Sequence, residues 1–207
     1  MNLANKLTML RVLLVPVFII FMIIDSFWAN IIALLIFIAA SITDYFDGAI
    51  ARKQNTITTL GIFLDPLADK LLVTSAFISF VGIYTLNVPA WMVICIIARE
   101  FIITGLRSIA ASKNIIIPAS MAGKVKTTSQ MIAIITILVI LIVNSAIIKF
   151  YFNTPYDLVE IGGWQQVLGL ILIYAPYWLM LIATIFTLYS GINYLITHKN
   201  IFTEPVK

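Results

Sequence analysis

Four aspartates in one short segment are the residues most able to do chemistry in this 207-residue chain, which holds nine acidic residues in all. They are Asp44, Asp47, Asp65 and Asp69, within the segment DYFDGAIARKQNTITTLGIFLDPLADK. Residues three or four positions apart share one face of a helix, so each pair is expected to project from one side of its helix. Two such helices packed antiparallel would bring the four carboxylates into one pocket.

Carboxylates gathered in an apolar environment repel each other and need positive partners. The simpler alternatives are salt bridges to Arg52, Lys53 and Lys70 or exposure at the membrane interface, and these would account for two of the four aspartates. Divalent cations account better for all four, and oxygen ligands without nearby His or Cys favour Mg²⁺ or Mn²⁺ over Zn²⁺. Because arginine binds phosphate oxygens in bidentate fashion, Arg52 beside such ions indicates phosphoryl or phosphodiester transfer.

The elements that must position these residues are predicted to be membrane helices. The chain is 62% hydrophobic and 11% charged, whereas a soluble domain is about half apolar and about a quarter charged. Six apolar segments approach or exceed the roughly 20 residues that cross a bilayer, namely residues 8–25, 28–50, 60–83, 89–111, 125–149 and 166–194. The longest break, residues 150–165, contains Pro155 and a Gly162–Gly163 pair and is predicted to be a loop. We therefore expect an all-α polytopic membrane protein that forms one domain over residues 1–207.

The basic residues predict the orientation of these spans. With a cytoplasmic N-terminus, twelve of the thirteen lysines and arginines fall on the cytoplasmic side, and Lys149 is the exception. Both termini are then cytoplasmic, and the aspartates lie at the cytoplasmic ends of the second and third spans. The first span has no convincing cleavage site and is expected to be retained. The net charge of +4 is read as a sign of topology and lipid contact, not of nucleic-acid binding.

The aspartate segment resembles the complete signature of the CDP-alcohol phosphatidyltransferases, which move a phosphatidyl group from CDP-diacylglycerol to an alcohol and release CMP. All eight specified positions are present at the family's spacing, and they are Asp44, Asp47, Gly48, Ala51, Arg52, Gly61, Asp65 and Asp69. The six-span plan is also similar, so the resemblance covers essentially the whole chain. It implies a CDP-alcohol phosphotransferase-like bundle acting as a homodimer in a bacterial inner or plasma membrane, with the active site facing the cytoplasm.

The resemblance also implies a role for each residue of the signature. Two divalent cations, Mg²⁺ or Mn²⁺, would bind the diphosphate of the lipid through Asp44, Asp47, Asp65 and Asp69. Asp69 would also be the general base for the acceptor hydroxyl, which attacks the β-phosphorus. The stretch around Asn5, Thr8 and Arg11 resembles the part of the family that lines the nucleotide site. The CDP-lipid would be bound by Asn5, Thr8, Gly48, Ala51, Arg52 and Gly61.

Basic residues further along the chain indicate the acceptor. Residues 99–107 (REFIITGLR) and 123–130 (GKVKTTSQ) resemble the phosphatidylglycerophosphate synthase branch of the family, whose acceptor is sn-glycerol 3-phosphate. A doubly charged phosphomonoester beside a carboxylate cluster needs a cationic pocket of its own. The residues predicted to form it are Arg107, Lys124, Lys126 and the more deeply placed Arg99. An internal ion pair between Arg99 and Glu100 is the alternative for that arginine.

Two other functions stay open at this point. A sibling enzyme would run the same chemistry with serine, inositol, inositol phosphate or phosphatidylglycerol as acceptor. A small cation transporter would use the aspartates to line an ion path. Against transport, the aspartates all lie toward one side, and no acidic relay continues along the other spans. His198, beside Lys199 at the end of the last span, is expected to be interfacial and not catalytic.

Overall fold

A computed structural model describes the backbone of residues 3–24, 26–54, 59–112, 115, 120–151 and 154–203. Within those ranges the side chains of residues 3–7, 44–54, 59–69, 112 and 200–203 are not described. The described chain is helical apart from its connections, and it contains no strand. The helices are α1 (Leu3–Ile24), α2 (Phe27–Gln54), α3 (Thr59–Gly82), α4 (Ala90–Ser112), α5 (Met121–Phe150), α6 (Asp157–Ile161) and α7 (Gly163–Thr203).

Each of the six predicted apolar segments coincides with one of the long helices, so the all-helical architecture is confirmed. A short 3-10 helix, Tyr84–Leu86, follows α3. The largest difference between a predicted and an observed helix end is in α7, which extends past residue 194 to Thr203. The backbone of His198 is non-helical there (φ −113°, ψ 15°), which marks a kink near the polar end of the helix.

The predicted loop over residues 150–165 was wrong in one respect, because it contains α6. The Asp157 carboxylate fixes the turn that precedes this helix. It accepts hydrogen bonds from the Thr154 backbone N–H at 3.0 Å and from the Thr154 hydroxyl at 2.7 Å. α6 then closes on α7 at Gly169, where a Cβ atom would lie 2.9 Å from the Val159 side chain. A hydrogen-bonded turn and one close contact thus produce a helix that apolar length alone did not predict.

The long helices share one apolar core. α1 packs against α2 and α3, α5 packs against α2 and α7, and α4 packs against α3 and α7. Fully buried side chains from every long helix join a single cluster, among them Phe18, Phe37, Phe77, Met92, Ile137 and Met180. The Phe18 and Phe37 rings lie 6.0 Å apart across the α1–α2 contact. Such interdigitated packing fixes the helix ends relative to one another, and with them the residues that those ends carry.

Two helices are long and apolar enough to cross a membrane by length and composition, Met121–Phe150 and Gly163–Lys199. The described apolar stretches of α1, α2 and α3 are shorter. Large apolar side chains are nevertheless exposed on every long helix, for example Leu13, Leu35, Ile78, Ile94, Ile132 and Ile185. Soluble monomers rarely expose apolar surface on this scale, so the exposed faces are typical of a membrane protein.

Candidate active site

A cavity of about 850 Å³ opens where the C-terminal half of α4 meets the first turns of α5. Lys70 from α3 and Tyr194 from α7 complete its lining. Five basic side chains and one acidic side chain line it among the described residues: Lys70, Arg99, Arg107, Lys124, Lys126 and Glu100. All four residues that were predicted to hold the acceptor phosphate are therefore in one place. We refer to this space as the basic cavity.

The periodicity of α4 explains why so many polar groups face the basic cavity. Arg99, Ile103 and Arg107 are spaced at four-residue intervals, so they lie along one side of the helix. Glu100, Thr104 and Ser108 form a second row directly beside the first row. Two adjacent rows of a helix thus supply both the charges and the hydroxyl groups of one wall.

The opposite wall is the beginning of α5. Ser120 caps this helix, because its hydroxyl accepts a hydrogen bond from the Gly123 backbone N–H at 3.1 Å. Capping sets the first turn so that Lys124, Lys126 and Thr127 line the basic cavity. The helix N-terminus also carries a partial positive charge, which adds to that of the lysines.

Glu100 is the centre of the charge network in the basic cavity. Its carboxylate forms a close ion pair with the Lys126 ammonium and a second pair with the Arg99 guanidinium at 3.4 Å. Arg99 also donates a hydrogen bond to the Ser190 hydroxyl at 2.8 Å. The internal ion pair considered for Arg99 is therefore present. Lys126, predicted as a phosphate ligand, is itself buried and bound to a carboxylate.

A glycine on α7 makes room for this arrangement. At Gly191 a Cβ atom would lie 2.9 Å from Cγ of Arg99. The missing side chain therefore lets the arginine stem pass close to α7 and reach Ser190. No motif in the sequence pointed to Gly191, because the contact joins distant parts of the chain: Arg99 and the adjacent Ser190 are 91 residues apart.

Lys70 connects the aspartate-bearing helix to the basic cavity, a role that sequence reasoning missed. Its ammonium donates a hydrogen bond to the Thr104 hydroxyl, which in turn donates to the Glu100 backbone carbonyl at 2.6 Å. Lys70 directly follows Asp69 in α3. The adjacency was visible in the sequence, but there Lys70 was considered only as a partner for the carboxylates.

Tyr194 is a second lining residue that carried no sequence signal. Its side chain is buried, and its hydroxyl has no hydrogen-bond partner among the described residues. The Arg107 guanidinium carbon lies 6.0 Å from the centre of its ring. His198, one turn further along α7, stacks at 4.6 Å from the same ring and donates from Nδ1 to the Tyr194 carbonyl oxygen at 2.9 Å.

The structure describes the backbone of the aspartate-bearing helix ends but not their side chains. Asp44, Asp47, Gly48, Ala51 and Arg52 occupy the C-terminal part of α2, and Gly61, Asp65 and Asp69 occupy the N-terminal part of α3. These two helices contact each other. The side chains of all eight residues, like that of Asn5, lie outside the described ones, so their convergence in one pocket stays a prediction. Among the side chains that are described, no group of three or more His, Cys, Asp or Glu residues could hold a metal ion.

Thr8 is the one member of the predicted CDP-lipid set whose side chain the structure describes. It is 3% exposed, and Arg11, one turn later in α1, is 4% exposed. α1 packs against both α2 and α3. Thr8 and Arg11 are therefore buried in the same group of helices that carries the aspartates.

The sequence is similar to one protein family and to several proteins of known name. The sequence model of a family described as CDP-alcohol phosphatidyltransferase matches residues 1–190. A relative from Bacillus subtilis (strain 168), named CDP-diacylglycerol–glycerol-3-phosphate 3-phosphatidyltransferase, is 42% identical over 171 residues, covering 77% of this chain and 81% of its own. Relatives of the same name from Rickettsia felis and Salmonella typhimurium are each 42% identical, over 133 and 139 residues. Each of these two matches covers 64% of this chain, with 72% of the Rickettsia protein and 74% of the Salmonella protein.

Proposed function

Because the chain belongs to the CDP-alcohol phosphatidyltransferase family, we propose that it transfers the phosphatidyl group of CDP-diacylglycerol to sn-glycerol 3-phosphate. The products are phosphatidylglycerol phosphate and CMP. The observation that carries the choice of acceptor is the basic cavity, where five cationic side chains face one carboxylate. A surplus of positive charge with hydroxyl groups beside it suits a small phosphomonoester that carries free hydroxyls. The names of the relatives agree with this choice.

Apart from Lys70, the cations of the basic cavity divide into two groups. Arg107 and Lys124 are exposed, and neither pairs with a carboxylate among the described residues, so we assign them direct contact with the acceptor phosphate. A guanidinium suits this task because it donates two parallel hydrogen bonds to one phosphate. Lys126 and Arg99 are held by Glu100 behind them. We assign these two a supporting role, in which they keep the cavity positive and the α4–α5 wall in place.

The reacting groups are proposed to come from α2 and α3. An all-oxygen donor set on two contacting helices fits hard divalent cations, so Asp44, Asp47, Asp65 and Asp69 would hold two Mg²⁺ or Mn²⁺ ions. When bound, such ions stabilise negative charge on the diphosphate and on the departing CMP. The nucleotide and diphosphate would lie against Asn5, Thr8, Gly48, Ala51, Arg52 and Gly61.

Asp69 is proposed as the general base of the transfer. Its carboxylate accepts the proton of the acceptor hydroxyl while that oxygen forms a bond to the β-phosphorus, and the bond from this phosphorus to the CMP oxygen breaks. Lys70 supports this assignment, because its contact with Thr104 joins the segment after Asp69 to the wall of the basic cavity. The helix that carries the proposed base, α3, is thereby joined to α4, which carries part of the proposed site for the acceptor phosphate.

The membrane arrangement is also part of the proposal. Six spans would place both termini and the basic cavity on the cytoplasmic side of a bacterial inner or plasma membrane. One domain over residues 1–207 would work as a homodimer. Exposed apolar side chains on all six long helices support the six spans. Trp28, Trp91 and Trp164 are exposed at the beginnings of α2, α4 and α7. These helices would all begin on the outer side, where a belt of tryptophans is typical of the interface.

The proposal is tested by measuring CMP release from purified protein supplied with CDP-diacylglycerol, Mg²⁺ or Mn²⁺, and one acceptor at a time. We expect metal-dependent release with sn-glycerol 3-phosphate, and its loss in Asp69→Asn. Turnover with serine, inositol phosphate or phosphatidylglycerol but not with glycerol 3-phosphate would refute the proposed acceptor and leave the proposed phosphatidyl transfer standing. If the folded protein releases no CMP with any acceptor, the proposed phosphatidyl transfer is refuted, and cation transport becomes the explanation of the aspartates.

A further inference from the structure

A second cavity, of about 240 Å³, lies at the other end of α5 from the basic cavity. Lys126 and Asn144 mark the two cavities on this helix, and the rise between them is about 27 Å, close to the thickness of a bilayer's hydrocarbon core. The residues that define the second cavity are Ser26, Thr85, Leu141, Asn144, Ser145 and Lys149. We refer to it as the distal cavity. Nothing in the proposed transfer reaction uses it.

Asn144 is the most unusual residue of the distal cavity. Its side chain is 2% exposed, and neither its Nδ2 nor its Oδ1 atom has a hydrogen-bond partner in the described part of the chain. A buried amide that is unsatisfied at both ends is unfavourable, and native structures contain few such groups. Because the side chain lines the cavity, it is available to both donate to and accept from a ligand.

Hydroxyl groups next to Asn144 extend the polar surface. Ser145 already accepts a hydrogen bond from Asn30 Nδ2 at 2.7 Å, so its own hydroxyl hydrogen is left to donate elsewhere. Ser26 and Thr85 add two further hydroxyls to the lining. The polar side of the distal cavity therefore combines amide and hydroxyl groups, which suits a ligand that itself carries hydroxyls.

Lys149 gives the distal cavity a positive charge. Its ammonium lies 5.4 Å from the ring centres of Phe27 and Trp28 and 5.3 Å from that of Phe150. Cation–π contacts on three sides hold the ammonium at this end of the bundle. No carboxylate among the described residues forms an ion pair with it, so an anion is the ligand that its charge favours.

We propose that the distal cavity binds a hydroxylated phosphate ester. The phosphate oxygens accept hydrogen bonds from the Lys149 ammonium, and the ligand hydroxyls pair with the Asn144 amide and the Ser145 hydroxyl. Leu141 and Ile148 form an apolar wall that suits the adjoining carbon chain. Two sources offer this chemistry, the headgroup of a hydroxylated anionic phospholipid and a soluble polyol phosphate.

The test is the thermal unfolding midpoint of the full chain in a non-ionic detergent without divalent cations. Three probes are compared: short-chain phosphatidylglycerol, short-chain phosphatidylcholine and sn-glycerol 3-phosphate. We expect phosphatidylglycerol to raise the midpoint by at least about 3 °C more than phosphatidylcholine does, since a ligand of the folded state stabilises it. Lys149→Gln and Asn144→Leu should each remove at least half of that rise. Lys124→Gln, the same charge loss at the opposite end of α5, should retain it.

The outcomes separate the sources and the sites. A shift with glycerol 3-phosphate that depends on Lys149 and Asn144 would support the site with a soluble ligand, and a shift confined to the lipid would support a headgroup. If the shift survives in Lys149→Gln and is lost in Lys124→Gln, the lipid binds the basic cavity and the proposal is overturned. No Lys149-dependent shift with either phosphate ester also overturns it. Lys149 is exposed, so its variant decides the matter even if Asn144→Leu fails to fold.

Discussion

At the scale of single residues, the basic cavity separates side chains that meet solvent from side chains that are already bound. Lys126 is 7% exposed and pairs with Glu100, whereas Arg107 and Lys124 are exposed. A buried ammonium group is costly unless it is paired, and Glu100 supplies the partner of Lys126. A phosphate that enters from solvent therefore meets the exposed cations first, and the Glu100 network lies behind them.

Arg107→Ala should weaken binding of the acceptor much more than binding of the CDP-lipid. Losing a charge-assisted contact to a phosphate is expected to raise KM for glycerol 3-phosphate about ten- to a hundredfold. KM for CDP-diacylglycerol should change less than about threefold, since that lipid is assigned to other helices. Steady-state CMP release, measured with each substrate varied in turn, gives both values.

Arg107→Lys is the matched control, because it keeps the charge and removes the planar fork. Its KM for the acceptor should lie between those of the wild type and Arg107→Ala. Equal effects of Arg107→Ala on the two KM values would remove this residue from the acceptor site. Because Arg107 is exposed, the unfolding midpoint of either variant should stay close to that of the wild type.

At the scale of elements, apolar length predicted the six long helices well, and local chemistry accounts for what it did not predict. α6 depends on the turn that Asp157 fixes through Thr154 and on the close approach at Gly169, neither of which has an apolar signature. The four predicted acceptor residues share one cavity because motif spacing on α4 and α5 set their faces. Tyr194 and Gly191 could not be predicted, because their roles come from the packing of α7 against α4, a contact between distant parts of the chain.

Gly191→Ala tests how far the α4–α7 contact positions the cation network. A Cβ atom 2.9 Å from Cγ of Arg99 forces that side chain or the helix to move, so the hydrogen bond to Ser190 should be lost or lengthened. Overpacking of this kind typically costs about 1–3 kcal/mol, and the unfolding midpoint should fall accordingly. KM for the acceptor should rise as well, because Arg99 lines the basic cavity.

Gly105→Ala on α4 provides the control. Apart from the adjoining residues and backbone of its own helix, no described atom lies within 4 Å of a Cβ placed there, and the residue is inside a helix. Replacing a helical glycine with alanine should therefore leave the midpoint unchanged or raise it by an amount that corresponds to about 0.5–1 kcal/mol. If both variants behave alike, the close contact at Gly191 does not position Arg99.

At the scale of the whole molecule, α5 connects the end of the helix bundle that is rich in basic residues to an end that is rich in aromatic residues. Its first turns bear Lys124 and Lys126 beside the basic cavity, and its last turn bears Lys149 among aromatic rings. In the proposed topology, twelve of the thirteen basic residues lie on the cytoplasmic side, and Lys149 alone lies on the outer side. An enzyme that draws a charged acceptor from the cytoplasm needs its cationic cavity on that side, so the orientation of α5 in the membrane is a condition of the proposed function.

Single cysteines at the two ends of α5 test that orientation directly. Cys95 is the one cysteine in the chain, so Cys95→Ser gives a background without thiols. In intact cells, Lys149→Cys should react with a membrane-impermeant maleimide, whereas Lys124→Cys should react only after the membrane is opened. Both positions are exposed, so a difference in labelling reports the side of the membrane and not burial. Labelling of Lys124→Cys in intact cells would place the basic cavity outside. The chain would then not receive glycerol 3-phosphate from the cytoplasm, whatever its activity in detergent.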